Sequence, residues 1–336
     1  MVFNEWFANP WVVLALKLGA IFMFFLTAPL LIGYAEHKVL AHMQGRLGPM
    51  EAGKFHGWAQ LVADGVKFIQ KEDIIPSAAD RKVFALAPAV VLVPVIAVFL
   101  VLPFGPGPGA DPRNGWWGEN MDLGLFFALA VSSISVIGML MAGWSSASKF
   151  SLIGAIRGAA QLIAYELPLV LAAAAVAMQA GTLSLVGIAD AQSHSYWFVI
   201  PQFAGFAIFV MASLAELSRP PFDMPIADSE IIFGHMTEYT GIRFAMFMLA
   251  EYAGIVSLSA IATVLYLGGW NGFLVDWIPG PIWTLAKIGM LGFFVIWLRA
   301  TYPRLREDQL QKMAWKYLIP IALVNILATM IFKVAF

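Results

Sequence analysis

Carboxylates that could exchange protons are concentrated between residues 215 and 241, in the stretch AELSRPPFDMPIADSEIIFGHMTEYTG. The stretch contains five acids: Glu216, Asp223, Asp228, Glu230 and Glu238. Its only lysine or arginine is Arg219. Neighbouring carboxylates repel one another and burial disfavours their ionised forms, so both effects raise pKa values toward neutrality. The stretch therefore predicts acids that titrate as a coupled set. The alternative is an acidic loop that is simply solvated.

Two further glutamates interrupt long apolar segments. Glu166 lies in QLIAYELPLVL, and Glu251 lies in MLAEYAGIV. An ionisable group at the middle of a bilayer costs about 2.5–3.5 kcal/mol on insertion scales, and such groups usually face a water-filled cavity or a partner. With the acids above, the two glutamates predict a series of proton-exchanging groups at increasing depth in a membrane. Each could instead be a protonated glutamate hydrogen-bonded to a neighbouring helix.

The composition requires lipid as the solvent for these segments. The 336 residues are 60% hydrophobic and 12% charged, with a mean hydropathy of +0.79. Soluble domains carry about twice this share of charged residues. The expected fold is therefore an all-α integral membrane protein. The chain has no cysteine, which excludes disulfides, thiolate catalysis and iron–sulfur ligation by its own residues.

Eight segments are apolar and long enough to cross a bilayer, which requires about 20 residues. They lie near residues 12–33, 82–102, 121–142, 157–180, 197–217, 243–268, 281–301 and 314–335. We expect one membrane domain over residues 1–336, because no segment resembles a separate soluble domain. Lysines and arginines concentrate after the first, third, fifth and seventh spans, so the positive-inside rule places these loops in the cytoplasm and both termini outside. The carboxylate-rich stretch then follows the fifth span, in the cytoplasm.

The first cytoplasmic loop contains a candidate surface helix, HGWAQLVADGVKFIQKED, residues 56–73. Its apolar side chains recur at helical spacing and its polar ones fall on the opposite side. This pattern is typical of an amphipathic helix that lies at a membrane surface. Such a helix could only anchor the loop, or it could line an entrance for an amphipathic ligand.

Six motifs, in order along nearly the whole chain, carry a family resemblance. They are EHKVLAHMQGRLGP with WAQLVADGVKFIQKED, SASKFSLIGAIRGAAQLIAYE, AELSRPPFDMP, EYTGIRFAMFMLAEY and WLRATYPRLREDQL. Together they resemble the H subunits of the proton-pumping NADH–quinone oxidoreductase, respiratory complex I. The resemblance implies a component of the bacterial cytoplasmic membrane that joins the membrane arm to the peripheral arm.

The resemblance also implies roles for particular residues. The acids of the family's proton path correspond to Glu166, Glu216, Asp228, Glu230, Glu238 and Glu251. The residues on the quinone side correspond to Glu36, His37, Arg46, Asp64 and Arg299. The implied substrate is a quinone, ubiquinone or menaquinone, whose tail enters from the bilayer. The iron–sulfur clusters and flavin belong to partner subunits, and no metal site is expected in this chain.

Four positions depart from the family pattern. His37 stands where the first loop usually has arginine. Histidine can lose its charge near neutral pH, so a fixed cation at the mouth of the quinone chamber, which the resemblance implies, is in question. In the acidic loop, Ile226 replaces a glutamate and Asp228 a longer acid. Glu307 stands where a tyrosine is usual. These departures indicate a divergent bacterial branch, in which the electron donor could differ from NADH.

Three other functions remain open from the sequence. The membrane subunit of an energy-converting hydrogenase also carries a Gln-Gly-Arg-x-Gly-Pro loop, although the RPPFD motif here favours the quinone-reducing family. A free-standing ion transporter would carry flux without redox partners. A purely structural anchor for a peripheral arm would not need its membrane-embedded glutamates for proton pumping.

Overall fold

The computed structural model describes residues 10–106, 115–116, 118–272 and 278–335, without the side chains of Pro10, Asp228 and Ser229. Within these ranges every regular element is helical, which confirms the all-α fold. The helices are α1 Pro10–Met43, α2 Gln60–Gln70, α3 Arg81–Phe99, α4 Gly124–Ser132, α5 Ser135–Ser145, α6 Lys149–Ala180, α7 Leu185–Ser193, α8 Phe203–Glu216, α9 Asp228–Ile231, α10 Gly241–Tyr266, α11 Gly280–Thr301, α12 Glu307–Lys312 and α13 Ile319–Ala335. A π-helical turn, Met313–Leu318, joins α12 to α13.

Seven helical segments among the described residues are long and apolar enough to cross a membrane. They are Trp11–Met43, Arg81–Phe99, Gly124–Ser145, Lys149–Ala180, Gly241–Tyr266, Gly280–Thr301 and Glu307–Ala335. Each overlaps a segment predicted from the sequence to span the bilayer, so the chain is a multi-pass membrane protein. Several run further than predicted, because polar residues at one end remain helical.

The segment predicted as the fifth span, residues 197–217, forms a shorter helix. Helix α8 has 14 residues, about 21 Å at about 1.5 Å per residue, whereas the hydrocarbon core is roughly 30 Å thick. Turns precede it through Gln202. The Gln202 amide donates to the Thr329 hydroxyl at 2.7 Å and accepts from the Asn325 amide at 2.7 Å. This polar contact with α13 satisfies the groups that an apolar span would not contain.

Helix α10 is the centre of the fold. It packs against α1, α2, α3, α6, α7, α8 and α11, and every residue from Ala253 to Tyr266 is buried. A helix that is apolar on all sides is stable only when other helices or lipid surround it. Glu251, which lies just before this buried half, is therefore held between neighbouring helices rather than facing open lipid.

The third span bends between α4 and α5. Ser132 and Ser133 donate their hydroxyls to the carbonyls of Leu129 and Ala130, each at 2.9 Å. Serine hydroxyls that bond to carbonyls of the preceding turn compete with the helix and often bend it. The bend leaves Ser132 facing the interior, where it becomes part of the site described below.

The amphipathic helix predicted in the first loop is present as α2. It packs against α1 and α10: Leu61 lies in the space left by Gly33, and Phe68 contacts Phe244 with ring centroids 5.7 Å apart. On its outer side, Val62 and Ile69 are exposed. The helix is thus attached to the bundle along one side and presents apolar side chains on another.

The loop between α8 and α10 folds inward instead of extending into solvent. Arg219 and His235 are 3% and 5% exposed. The turn Gly234–Met236 packs on α6 so closely that a Cβ on Gly154 would lie 2.6 Å from the Gly234 Cα. The interpretation of this stretch as a simply solvated loop is therefore wrong for most of its length.

This contact predicts the effect of one methyl group. Gly154→Ala should destabilise the protein by about 1–3 kcal/mol, because the added Cβ meets backbone that cannot move aside without displacing the loop. Gly289→Ala in α11 is the matched control, since a Cβ there meets nothing within 4 Å. Thermal unfolding of the detergent-extracted protein measures both. Equal melting temperatures for the two variants would contradict the close packing of the loop on α6.

Candidate functional site

Arg219 joins two carboxylates from different helices, of which Glu36 is buried and Glu251 is 18% exposed. Its Nη1 donates to both carboxylate oxygens of Glu36 on α1, each at 2.9 Å. Its Nε lies 2.7 Å from the Glu251 Oε1 on α10, although the N–H is not aligned on that oxygen, so this contact is ionic. The guanidinium carbon lies 4.8 Å from the centroid of the Tyr252 ring, a cation–π contact. One arginine from the loop thus connects α1 to α10.

Arg299 on α11 completes this ionic network from the other side. It forms an ion pair with Glu36, whose side chain is only 2% exposed, while its own side chain is 40% exposed. Glu36 therefore lies between two guanidinium groups. A buried carboxylate needs such partners because the loss of water around its charge costs several kcal/mol. We call Glu36, Arg219, Glu251 and Arg299 the buried ionic network.

A cavity of about 110 Å³ adjoins this network. Side chains of α3, α4, α5, α6, α8, α10 and the inward-folded loop line it. The polar lining residues are Ser132, Ser135, Glu216, Ser218, His235, Glu251 and Ser257, and the remaining lining is mainly apolar. A water molecule occupies about 30 Å³ in the liquid, so the cavity has room for several. Two carboxylates and one imidazole therefore share one polar space inside the bundle.

Glu166 is connected to this cavity through Glu216. Glu216, at the end of α8, lies close to Ser132 and near enough to Glu166 for the two carboxylates to interact electrostatically. Glu166 is half-buried on α6, one turn beyond Leu162, which lines the cavity. The structure thus brings together three of the six acids predicted as a proton path: Glu166, Glu216 and Glu251.

The other three acids are placed differently. Glu230 lies at the surface, with its carboxylate 2.5 Å from the Arg157 Nη1 and 3.0 Å from the Arg304 Nη2. Hydrogen bonds from Arg157 and Arg304 lower the pKa of Glu230 below its ordinary value. The expectation that clustering raises the pKa is therefore wrong for this acid. Glu238 is half-buried just before α10, and the side chain of Asp228 lies outside what the structure describes.

The residues predicted for the quinone side do not all lie in one place. Glu36 and Arg299 meet in the buried ionic network, and His37 follows Glu36 on α1, half-buried. Arg46 is exposed after the end of α1, and its Nε donates to the side chain of its neighbour Gln44 at 2.9 Å. Asp64 is on α2, where it pairs with Lys67 at 3.0 Å. Arg46 and Asp64 therefore contact near neighbours in the sequence, outside the network.

Two residues of the site were not identified by sequence reasoning. In the sequence, Arg219 is the only lysine or arginine in the acidic stretch from 215 to 241. That was the one signal of its role. His235 lies in the same stretch, is buried, and has an Nδ1 atom without a hydrogen-bond partner among the described residues. Burial lowers the pKa of His235 to about 4, so the imidazole is neutral at pH 7.

No group of three or more His, Asp or Glu residues able to hold a metal ion occurs in the described ranges.

The buried ionic network predicts a large loss of stability when its centre is removed. Arg219→Met should cost about 3–5 kcal/mol, because it leaves the Glu251 carboxylate buried without its cation. The double variant Arg219→Met/Glu251→Gln should recover part of this loss. Arg306→Met is the control, since that arginine is 81% exposed. Thermal unfolding measures all three; an Arg219→Met protein as stable as Arg306→Met would contradict the assignment.

The depressed pKa of His235 predicts a dependence of stability on pH. The unfolded chain binds a proton near pH 6.5 and the folded protein only near pH 4. Protonation therefore favours unfolding, and stability falls as pH falls from about 6.5 toward about 4. At about pH 5 the loss from this one group should be about 2 kcal/mol.

Replacement of the imidazole isolates this effect. His235→Phe should lose less stability than the unmodified protein when the pH falls from about 7 to about 5, as judged by melting temperatures at each pH. His194→Phe, at an exposed site, should behave like the unmodified protein. If both variants lost stability in parallel with the unmodified protein, His235 would not be the group responsible.

Comparison with known proteins places the chain in a family. The sequence profile of the NADH dehydrogenase family matches residues 16–330. The chain is 43% identical to the H subunit of NADH-quinone oxidoreductase from Geobacillus kaustophilus (strain HTA426), over 97% of this chain and 96% of that protein. It is 43% identical to an H subunit of NADH-quinone oxidoreductase from Geobacter metallireducens, over 95% of each chain. With the H subunit from Bacillus cytotoxicus it shares 44% identity over 90% of this chain and 88% of that one.

Each of these similarities covers at least 88% of both proteins, and the family profile, which matches residues 16–330, includes the segments that carry the buried ionic network and the cavity. The chain therefore belongs to the NADH dehydrogenase family, among the H subunits of NADH-quinone oxidoreductase.

Proposed function

We propose that this chain is the membrane-arm subunit that forms the membrane part of the quinone chamber in a proton-translocating NADH–quinone oxidoreductase. The family membership and the names of its relatives support this function over that of a hydrogenase component. The chain contains no cysteine and so has no thiolate to ligate an iron–sulfur cluster. In this proposal partner subunits hold the iron–sulfur clusters and the flavin, and this chain is not catalytic alone. Its substrate is ubiquinone or menaquinone.

The observation that carries the proposal is the continuity of ionisable groups from the α1–α11 surface to the cavity. In order they are Arg299, Glu36, Arg219, Glu251, Glu216 and Glu166. Arg299 is partly exposed, whereas Glu36 and Arg219 are buried. A charge change at the exposed end therefore acts on groups that are poorly screened by water. This is the arrangement expected of a path that couples chemistry at the surface to protons inside the bundle.

Arg219 is the coupling element in this proposal. A guanidinium does not lose its proton in a protein, so Arg219 responds to a change of charge by moving rather than by titrating. Reduction of a quinone to a quinol consumes two electrons and two protons. When protons are drawn from groups near Glu36, the attraction of Arg219 to Glu36 changes relative to its attraction to Glu251. Glu251 then takes up or releases a proton toward the cavity and Glu216.

The quinone side of the proposal includes residues beyond the network. His37, Arg46 and Asp64 lie on α1, the following loop and α2, and the proposal assigns them to the quinone side. The apolar side chains that α2 exposes support an entrance for the quinone tail, as an alternative to a helix that only anchors the loop. Peripheral-arm subunits would close this surface and bring the terminal iron–sulfur cluster to the quinone headgroup.

The remaining acids have distinct roles in the proposal. Glu230 is held as a carboxylate by Arg157 and Arg304, so it fixes the loop against α6 and the α11–α12 connection. Asp228 and Glu238 stay in the proton path as its shallow members. The loop faces the cytoplasm and both termini face the outer side of the bacterial cytoplasmic membrane, with residues 1–336 as one membrane domain beside the other membrane-arm subunits.

The proposed function is tested by neutralising the two cavity carboxylates in the assembled complex. Glu216→Gln and Glu251→Gln should each lower coupled turnover by about 10²-fold, the lower end of what a positioned proton-transfer group contributes. NADH-driven quinone reduction and dye-detected proton uptake into proteoliposomes measure the two halves of the reaction. Glu119→Gln is the control, because that side chain is exposed at the opposite end of the bundle.

Retention of the unmodified pumping stoichiometry and rate by both glutamine variants would contradict the proposal. That result would favour a structural anchor, in which the acids stabilise the bundle without exchanging protons. Loss of quinone reduction together with pumping would support tight coupling through the cavity.

A further inference from the structure

His235 is the one titratable residue of the cavity to which the proposed acid path assigns no role. Besides Glu216 and Glu251, it is the only titratable side chain among the described residues that line this cavity. It comes from the turn Gly234–Met236, whereas both carboxylates come from helices. The loop therefore contributes an imidazole to the wall of the cavity.

The ring of His235 is fixed in place. The edge of Phe247 contacts it, with ring centroids 5.5 Å apart and planes at 78°. On the other side, the backbone of the turn packs against Gly154 of α6 without space for a Cβ. The ring therefore cannot turn out to solvent without displacing the loop.

The hydrogen-bonding capacity of this ring is incompletely used by the protein. Its Nδ1 is buried and makes no hydrogen bond with any described residue. A buried polar atom left unsatisfied costs about 1–3 kcal/mol, and water in a polar cavity is the usual partner for such an atom. The cavity that His235 lines has the volume and the polar groups to hold that water.

A neutral imidazole at this position has the properties of a proton carrier. One ring nitrogen bears a hydrogen and the other accepts one. Burial lowers its pKa to about 4, so it does not trap a proton as a stable cation at pH 7. It can take a proton on one nitrogen while it releases the proton from the other.

We propose that His235 passes protons between the cytoplasmic loop after α8 and the cavity carboxylates Glu216 and Glu251. Cavity water contacts Nδ1, so the proton enters at the other ring nitrogen, from a water that is itself reprotonated from the cytoplasm. Nδ1 gives its proton to cavity water, and that water passes a proton on to a carboxylate. One proton crosses, no electron is transferred, and a later reversal of the tautomer restores the ring. This inference rests on the proposed function, because it supplies the entry to the same acid path.

Two substitutions separate a proton carrier from a residue that only fills space or satisfies hydrogen bonds. His235→Phe keeps the contact with Phe247 but has no polar atom. His235→Gln donates and accepts hydrogen bonds but does not exchange protons at neutral pH. Both should assemble into the complex and both should lose about 10²-fold in coupled turnover. The solvent deuterium isotope effect on that turnover should rise in both, because proton entry becomes rate-limiting.

The contrary results are also specific. Normal turnover in His235→Gln would overturn the inference, because hydrogen bonding alone would then suffice, and that variant decides the matter if His235→Phe fails to assemble. A loss of turnover with an unchanged isotope effect would also overturn it, since it indicates a structural role. His194→Gln, at an exposed histidine, is the matched control.

The same preparations keep this inference distinct from the proposed function. If the glutamine variants of Glu216 and Glu251 lose pumping while His235→Gln pumps normally, the acid path holds and the histidine entry fails. If the glutamate variants pump normally, the acid path itself fails, whatever the histidine variants do. Loss in all four variants, with a raised isotope effect in the histidine pair, supports both.

Discussion

The contact on which the site depends is the buried guanidinium of Arg219 between Glu36 and Glu251. A single buried charge would be excluded by its desolvation cost, and a buried pair needs good geometry to offset that cost. Here one cation joins carboxylates from α1 and α10. Because Arg219 belongs to the loop, this contact also fixes the loop against the helices. Ser218 and His235, which line the cavity, belong to the same loop.

The inward folding of the loop explains the cavity. With Arg219 bound to α1 and α10, the turn that carries His235 rests on α6 and lines the space that Glu216 and Glu251 share. The bend between α4 and α5 supplies polar hydroxyls to the same space. The helices and the loop thus line a small cavity with several polar groups, in which a change in the charge of one group is strongly felt by the others.

Much of the fold was predictable because the length of an apolar segment depends only on consecutive residues. The membrane spans followed from hydropathy, and α2 followed from its periodicity. The shorter α8 was not predicted, because its start depends on a contact between Gln202 and side chains of α13 more than 120 positions later in the chain. The length of α8 depends on polar groups that need hydrogen-bond partners from a distant segment, and hydropathy gives no information on such partners.

The sequence by itself determined the class of the protein, the family resemblance and the two membrane-embedded glutamates, because each of these is a property of residue types and spacing. Tertiary structure alone decided which acids act together. Glu230 and Glu216 are 14 positions apart in one acidic stretch, yet the first is neutralised by arginines from other elements and the second faces a cavity. A carboxylate's proton affinity depends on the charges and the water around it, and these come from segments far away in the chain.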